Sequence, residues 1–164
     1  MKHELLKYDE MVLKAKDFYK SFNVIIPDEF VEEAVISLFM PQYVKEFNEN
    51  KYNIKNNICL KNDHRALSTV GDAVCKSFWM LAKYSLSSTQ EKLIAEKETL
   101  KNDHLNVVGL NILEGKLFAT NNNLDSNNEI ENKKSYATAF EAVIGFVSLI
   151  DINKAFEVLK KIKM

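Results

Sequence analysis

The stretch RALSTVGDAVCKSFWMLAKY, residues 65–84, decides how this chain reads. Leu67, Val70, Val74, Phe78 and Leu81 form one apolar stripe at helical spacing, and Cys75, Trp79 and Ala82 form another. A helix apolar on most sides is expected to be central and buried. Its polar residues keep to one narrow stripe, with Arg65, Ser68, Thr69, Asp72, Lys76 and Lys83 at offsets compatible with a 3.6-residue period. A second strongly apolar helix is predicted over about 135–150, where Thr138, Glu141, Gly145 and Ser148 share one stripe. Each of the two most apolar helices therefore carries one acid.

Working outward, residues 3–22 place Leu5, Tyr8, Val12, Ala15, Tyr19 and Phe22 at amphipathic helical spacing. A further helix is predicted to open at Pro27, with Asp28 and Glu29 in its first turn, and to stop near Met40-Pro41. Residues 44–63 lack a clear period and read as irregular connection with one helical turn. Ser88-Thr89-Gln90-Glu91 is a capping-box pattern opening another helix, and a short helix is expected after Asn102. The Asn-rich run 121–134 reads as an exposed loop, and Asp151 as the cap of a last helix ending near Ile162. With no repeat and no linker, one all-α domain over 1–164 is expected.

Composition limits the function. The 164 residues are 46% hydrophobic and 27% charged, as in globular proteins, and four glycines with two prolines disfavour a turn-rich β sandwich. No run approaches the ~18 apolar residues that would span a membrane. The N-terminal residues lack a secretory hydrophobic region, and Cys59 and Cys75 read as reduced thiols, so a cytoplasmic location is expected. The net charge is -1 and Arg65 is the only arginine. Nucleic-acid binding would need a local basic patch, built mostly of lysines that contact phosphate as point charges.

The two acids invite one explanation. An isolated buried carboxylate is costly unless it is paired, hydrogen-bonded or bound to a cation. Gly71 adjoins Asp72, and Gly145 lies one turn after Glu141. Glycine inside a helix costs about 1 kcal/mol against alanine, and close backbone approach would compensate. If the helices cross there, Asp72 and Glu141 meet as two hard oxygen donors suited to Mg²⁺. On spacing alone, such acids are more often salt-bridged structural residues.

The motifs sharpen this. Arg65-Ala66-Leu67-Ser68-Thr69-Val70-Gly71-Asp72-Ala73-Val74 resembles the signature helix of the ribonuclease III family, of the type E-R-L-E-F-L-G-D-A-V. Tyr136-Ala137-Thr138-Ala139-Phe140-Glu141-Ala142-Val143-Ile144-Gly145 resembles its second motif, A-D-x-x-E-A-L-I-G. Leu38-Phe39-Met40-Pro41-Gln42-Tyr43 and Leu100-Lys101-Asn102-Asp103-His104-Leu105 are similar to its F-T-H-P-S-Y and L-V-x-N-x-x-L segments. The likeness covers about 27–160. Ser68 and Thr138 stand where that family has two further acids, a pattern similar to its compact Mini-III branch. The chain departs from the pattern at Thr69, where an aromatic is usual, at Met40, in place of His, and over 87–118, which reads more like ordinary ribonuclease III.

The resemblance implies a ribonuclease III-like helical bundle dimerising through the 65–84 helix. It implies Mg²⁺-dependent cleavage of double-stranded or structured RNA, such as ribosomal precursors, with Mn²⁺ as a substitute ion. Asp72 and Glu141 would be the catalytic, metal-holding residues, and Ser68, Thr138 and Asn102 would hold waters around the metal. Arg65, Lys76, Lys101, Lys133 and Lys134, with Lys92 and Lys97, are candidate RNA contacts, although exposed charges are usually only solvated. The alternative is an inactive relative kept for RNA binding or assembly.

Overall fold

The structure, a computed structural model, describes residues 8–40, 64–84, 89–100, 102–118 and 129–162. Its helices are α1 (Tyr8–Lys20), a 3₁₀ turn (Asp28–Phe30) running into α2 (Val31–Ser37), α3 (His64–Tyr84), α4 (Gln90–Thr99), α5 (Asn102–Leu113), α6 (Glu129–Ile150) and α7 (Ile152–Lys161). Among the described residues β structure is confined to one parallel bridge between Phe39 and Phe118. There the Phe118 N–H donates to the Leu38 carbonyl at 2.7 Å. The fold class is all-α, as expected. No described helix is long and apolar enough to cross a membrane.

The organising contact is between α3 and α6, the most extensive helix pair described. A Cβ on Gly71 would overlap the Glu141 carbonyl, 2.5 Å from its carbon and 2.9 Å from the Gly145 nitrogen. A Cβ on Gly145 would overlap the Leu67 carbonyl, 2.9 Å from its carbon and 3.0 Å from the Gly71 nitrogen. Two glycines thus face one another and the backbones touch. The roughly 2 kcal/mol of helix propensity they forgo is offset by packing that no larger residue permits. On its other side α6 meets α5, where a Cβ on Gly109 would lie 2.5 Å from the Tyr136 carbonyl oxygen, a less intimate approach.

It is α6, not α3, that is buried most of the way round. Ala137, Ala139, Phe140, Ala142, Val143, Ile144, Phe146 and Val147 are all buried. In α3 the buried residues are His64, Leu67, Ser68, Gly71, Val74 and Cys75. Ala66, Val70, Ala73, Ser77, Leu81 and Tyr84 are exposed, which corrects the expectation of a helix covered on most sides. Apolar residues at helical spacing gave that expectation, but they are only partly covered: Leu67, Val74 and Cys75 are buried, while Val70, Leu81 and Ala82 are exposed.

The remaining helices close the core around α6. Tyr19 of α1 is fully buried against Phe146, ring centroids 4.7 Å apart. Its hydroxyl bonds the Ser37 hydroxyl, which itself donates to the Ala34 carbonyl, so Tyr19 is the donor in that pair. Asp151 caps α7 as expected, accepting from the Asn153 N–H at 2.8 Å.

Two boundaries differ from expectation. At α4 the cap falls on Thr89, whose hydroxyl accepts from the Lys92 N–H at 3.4 Å, so Glu91 is not its reciprocal partner. The helix α6 begins at Glu129, inside the run read as a loop. A helix anchored by its apolar half extends into the polar residues that precede it. The irregular connection expected over 44–63 lies outside the described residues, as does Cys59, while Cys75 is a free, buried thiol.

Gly71→Ala and Gly145→Ala are each expected to destabilise the fold by about 3 kcal/mol or more, because the clash is with backbone that cannot step aside. Gly115→Ala is the control. Gly115 has φ 71 with nothing near its Cβ position, and its substitution is expected to cost only about 1–2 kcal/mol. Chemical denaturation of the three variants measures the difference.

Candidate functional site

The glycine crossing determines what happens to the acids. Gly71, against the Glu141 carbonyl, is followed at once by Asp72. The two carboxyl groups, 69 residues apart in sequence (141 − 72), are brought within electrostatic reach. Glu141 is half-buried, and its carboxyl is raised from 4.5 to about 7, first by burial and then by the negative charge of Asp72. Lys76 acts in the opposite sense without cancelling either effect. Asp72, by contrast, has a partner: Lys76 Nζ lies 2.7 Å from its Oδ2, one turn along α3. With both side chains about a third exposed, this ion pair contributes little net stability.

Cys75 completes the neighbourhood. It is fully buried, and its thiol is pushed far above the ordinary range, chiefly by burial, then by Glu141 and Asp72. A thiol so held stays protonated and is neither nucleophile nor metal ligand at neutral pH. Sequence reasoning read Cys75 as a reduced thiol within an apolar stripe and did not foresee its burial beside the two acids. It also missed the part Lys76 plays, placing it among RNA contacts although its (i, i+4) spacing from Asp72 was the available signal.

The other candidates are more scattered. Ser68 is buried, and its hydroxyl donates to the Arg65 carbonyl at 3.0 Å. Thr69 donates to the same carbonyl at 2.8 Å. The Ser68 proton is therefore committed within its own helix. Thr138 is half-buried on α6, one turn before Glu141. Arg65 is exposed near the start of α3, and Asn102 is the first residue of α5. Lys92 is exposed on α4. Lys101, and the side chains of Asn102, Lys97, Lys133 and Lys134, lie outside what the structure describes. His64, read as a surface residue, is buried at the start of α3, whereas His104 is exposed and packs on the Trp79 ring, centroids 5.7 Å apart.

The donor set can be tested against a metal. Among the described residues no group of three or more His, Cys, Asp and Glu is assembled to hold an ion. What the crossing offers is two carboxylates. Two hard oxygen donors are not the soft or four-ligand set that zinc or iron–sulfur cages use. They fit Mg²⁺, which keeps several waters and is commonly held by one or two carboxylates. The raised Glu141 carboxyl is the specific fit, since a divalent cation would offset the like-charge repulsion responsible for part of it.

No protein-family model, curated protein or solved structure matches this chain.

The Glu141 shift has a consequence for stability. Between 4.5 and about 7 the folded chain holds a proton on Glu141 that the unfolded chain has released. The folded state binds more protons in that window, so this contribution is present at the acid end and lost as pH rises through about 7. Thermal unfolding in metal-free buffer from pH 4.5 to 8 should show this decline for the wild-type chain. Glu141→Gln should flatten it and be the more stable of the two at pH 8.

Proposed function

We propose that the chain is a Mg²⁺-dependent endoribonuclease of ribonuclease III type, acting on double-stranded or structured RNA through Asp72 and Glu141. The observation that supports this reading best is the coupled acid pair at a glycine crossing, within the two motif-like segments. Perturbed carboxyl groups brought together by rigid helices are a common feature of catalytic sites. The bundle is proposed to be of the ribonuclease III kind, with α3 as its signature helix.

Asp72 and Glu141 would hold the ion, with Ser68, Thr138 and Asn102 orienting its waters. Bound there, Mg²⁺ would supply an activated water and stabilise charge developing on the phosphate. The protein's own contribution is placement: α3 and α6 cannot slide or separate at the glycines without losing their packing, so the two carboxylates keep their spacing. Duplex RNA is read by shape, through phosphates and 2′-hydroxyls. With a net charge of -1, attraction must come from local cations such as Arg65, Lys101, Lys133 and Lys134.

The exposed face of α3 supports a homodimer. Ala66, Val70, Ala73 and Ser77 recur at helix-packing spacing and are small enough for two copies of α3 to approach closely. Two copies would present two acid pairs, one for each RNA strand. Sedimentation should report about twice 18.9 kDa, and Val70→Glu should return the protein to the monomer.

A second reading is favoured by the Asp72–Lys76 ion pair, which gives Asp72 a structural partner. On that reading the chain binds RNA or an assembly without cutting. Incubating purified protein with duplex RNA and Mg²⁺ separates the two. Cleavage is expected, falling about 100-fold or more in Asp72→Asn and in Glu141→Gln, as when one electrostatic contributor to a site is removed. Cleavage unchanged in Glu141→Gln would remove the proposed site, and retention of the duplex without cleavage would establish the second reading.

A further inference from the structure

We propose that Lys76 is a resident cation that occupies the divalent ion's place at Asp72 and leaves it when the ion binds. This rests on the metal-dependent reading above and concerns the regulation of that same site. The geometry is specific. Lys76 Nζ is 2.7 Å from Asp72 Oδ2, a full hydrogen-bonded ion pair formed within one helix at (i, i+4). At that distance the ammonium takes up space and lone pairs that an ion reaching Asp72 would need. Two cations cannot share the oxygen without strong repulsion in a partly desolvated setting.

Charge bookkeeping agrees. Asp72 and Glu141 carry two negative charges when both are ionised, and Lys76 returns one, leaving the cluster one short of neutrality. A divalent ion alone neutralises both acids; a divalent ion with Lys76 still in place would leave one excess positive charge. The lysine is therefore the group that gives way. It is built to do so, because its side chain is about a third exposed and its flexible stem can carry the ammonium into water. Glu141 sits on the more enclosed helix, so the acid side of the site stays in place while the lysine moves.

The ion pair thus lowers the site's affinity for metal while keeping Asp72 compensated in its absence. A lysine serving only as an RNA contact would not behave this way. Replacing it would weaken RNA binding and leave metal affinity alone.

Mn²⁺ titration of the metal-free full chain without RNA, followed by electron paramagnetic resonance of the free ion, tests this. Lys76→Met and Lys76→Gln should each bind Mn²⁺ about fivefold more tightly than the wild-type chain, the gain set by loss of a part-exposed ion pair. Lys76→Arg, which keeps the charge, should stay near wild type, and Asp72→Asn should abolish the site. Circular dichroism checks that each variant is folded, and the two neutral variants provide independent readings. If both neutral variants bind no tighter than wild type, while wild-type binding still depends on Asp72, the role given to Lys76 is overturned and the metal site stands. If no variant shows Asp72-dependent Mn²⁺ binding, the metal-dependent reading fails and this inference fails with it.

Discussion

Backbone touches backbone where Gly71 of α3 meets Glu141 and Gly145 of α6, and every other feature of the molecule is arranged around that contact. A crossing of this kind fixes both the rotation and the height of one helix against the other, because neither has a side chain to deform. The residues beside the glycines have no freedom to choose their surroundings. Asp72 follows Gly71 and Glu141 precedes Gly145 by one turn, so their carboxyl groups are held together by the geometry that holds the core together. Electrostatics then works against packing. Burial and a neighbouring negative charge both act on Glu141, while Lys76 pairs with Asp72 and offsets them only in part.

This asymmetry between the acids separates structure from function more clearly than their shared location does. Asp72 has an ion-pair partner at 2.7 Å and is part-exposed, which is how an ordinary helix-surface acid looks. Glu141 has its carboxyl in a protein environment that resists its charge at neutral pH. An uncharged side chain of similar volume there would relieve the cost without disturbing the glycine contact, which involves the backbone of Glu141 and not its carboxylate. The ionisable group at 141 is thus dispensable to the fold, and its presence there is easiest to understand through what it can hold.

Much of the framework was legible in the residues, and the failures have specific causes. Apolar periodicity located α3 and the apolar half of α6, and the mid-helix glycines pointed to a close crossing. Periodicity counts apolar residues without asking what covers them, so both apolar stripes of α3 were read as interior although Val70, Leu81 and Ala82 are exposed. The extra turns of α6 from Glu129 were hidden because polar residues carry no period. The Thr89 cap was missed because Ser88 offered the same chemistry one residue earlier. His64 read as a surface residue because an acid adjoins it and it lacks ligand spacing, yet it opens α3 on the buried side.

The site was legible only in part, for a different reason. Sequence spacing can bring two acids to a crossing, but it does not say where the nearest cation goes. Lys76 lies on the same stripe as Asp72, and from sequence a lysine one turn from an acid can face water, a phosphate or the acid itself with similar ease. The fold decides among these by shape. Close approach of α3 and α6 brings the acids together, and a lysine stem anchored one turn from Asp72 supplies its counter-charge from within α3. The ion pair and the glycine contact are thus two features of one helix crossing.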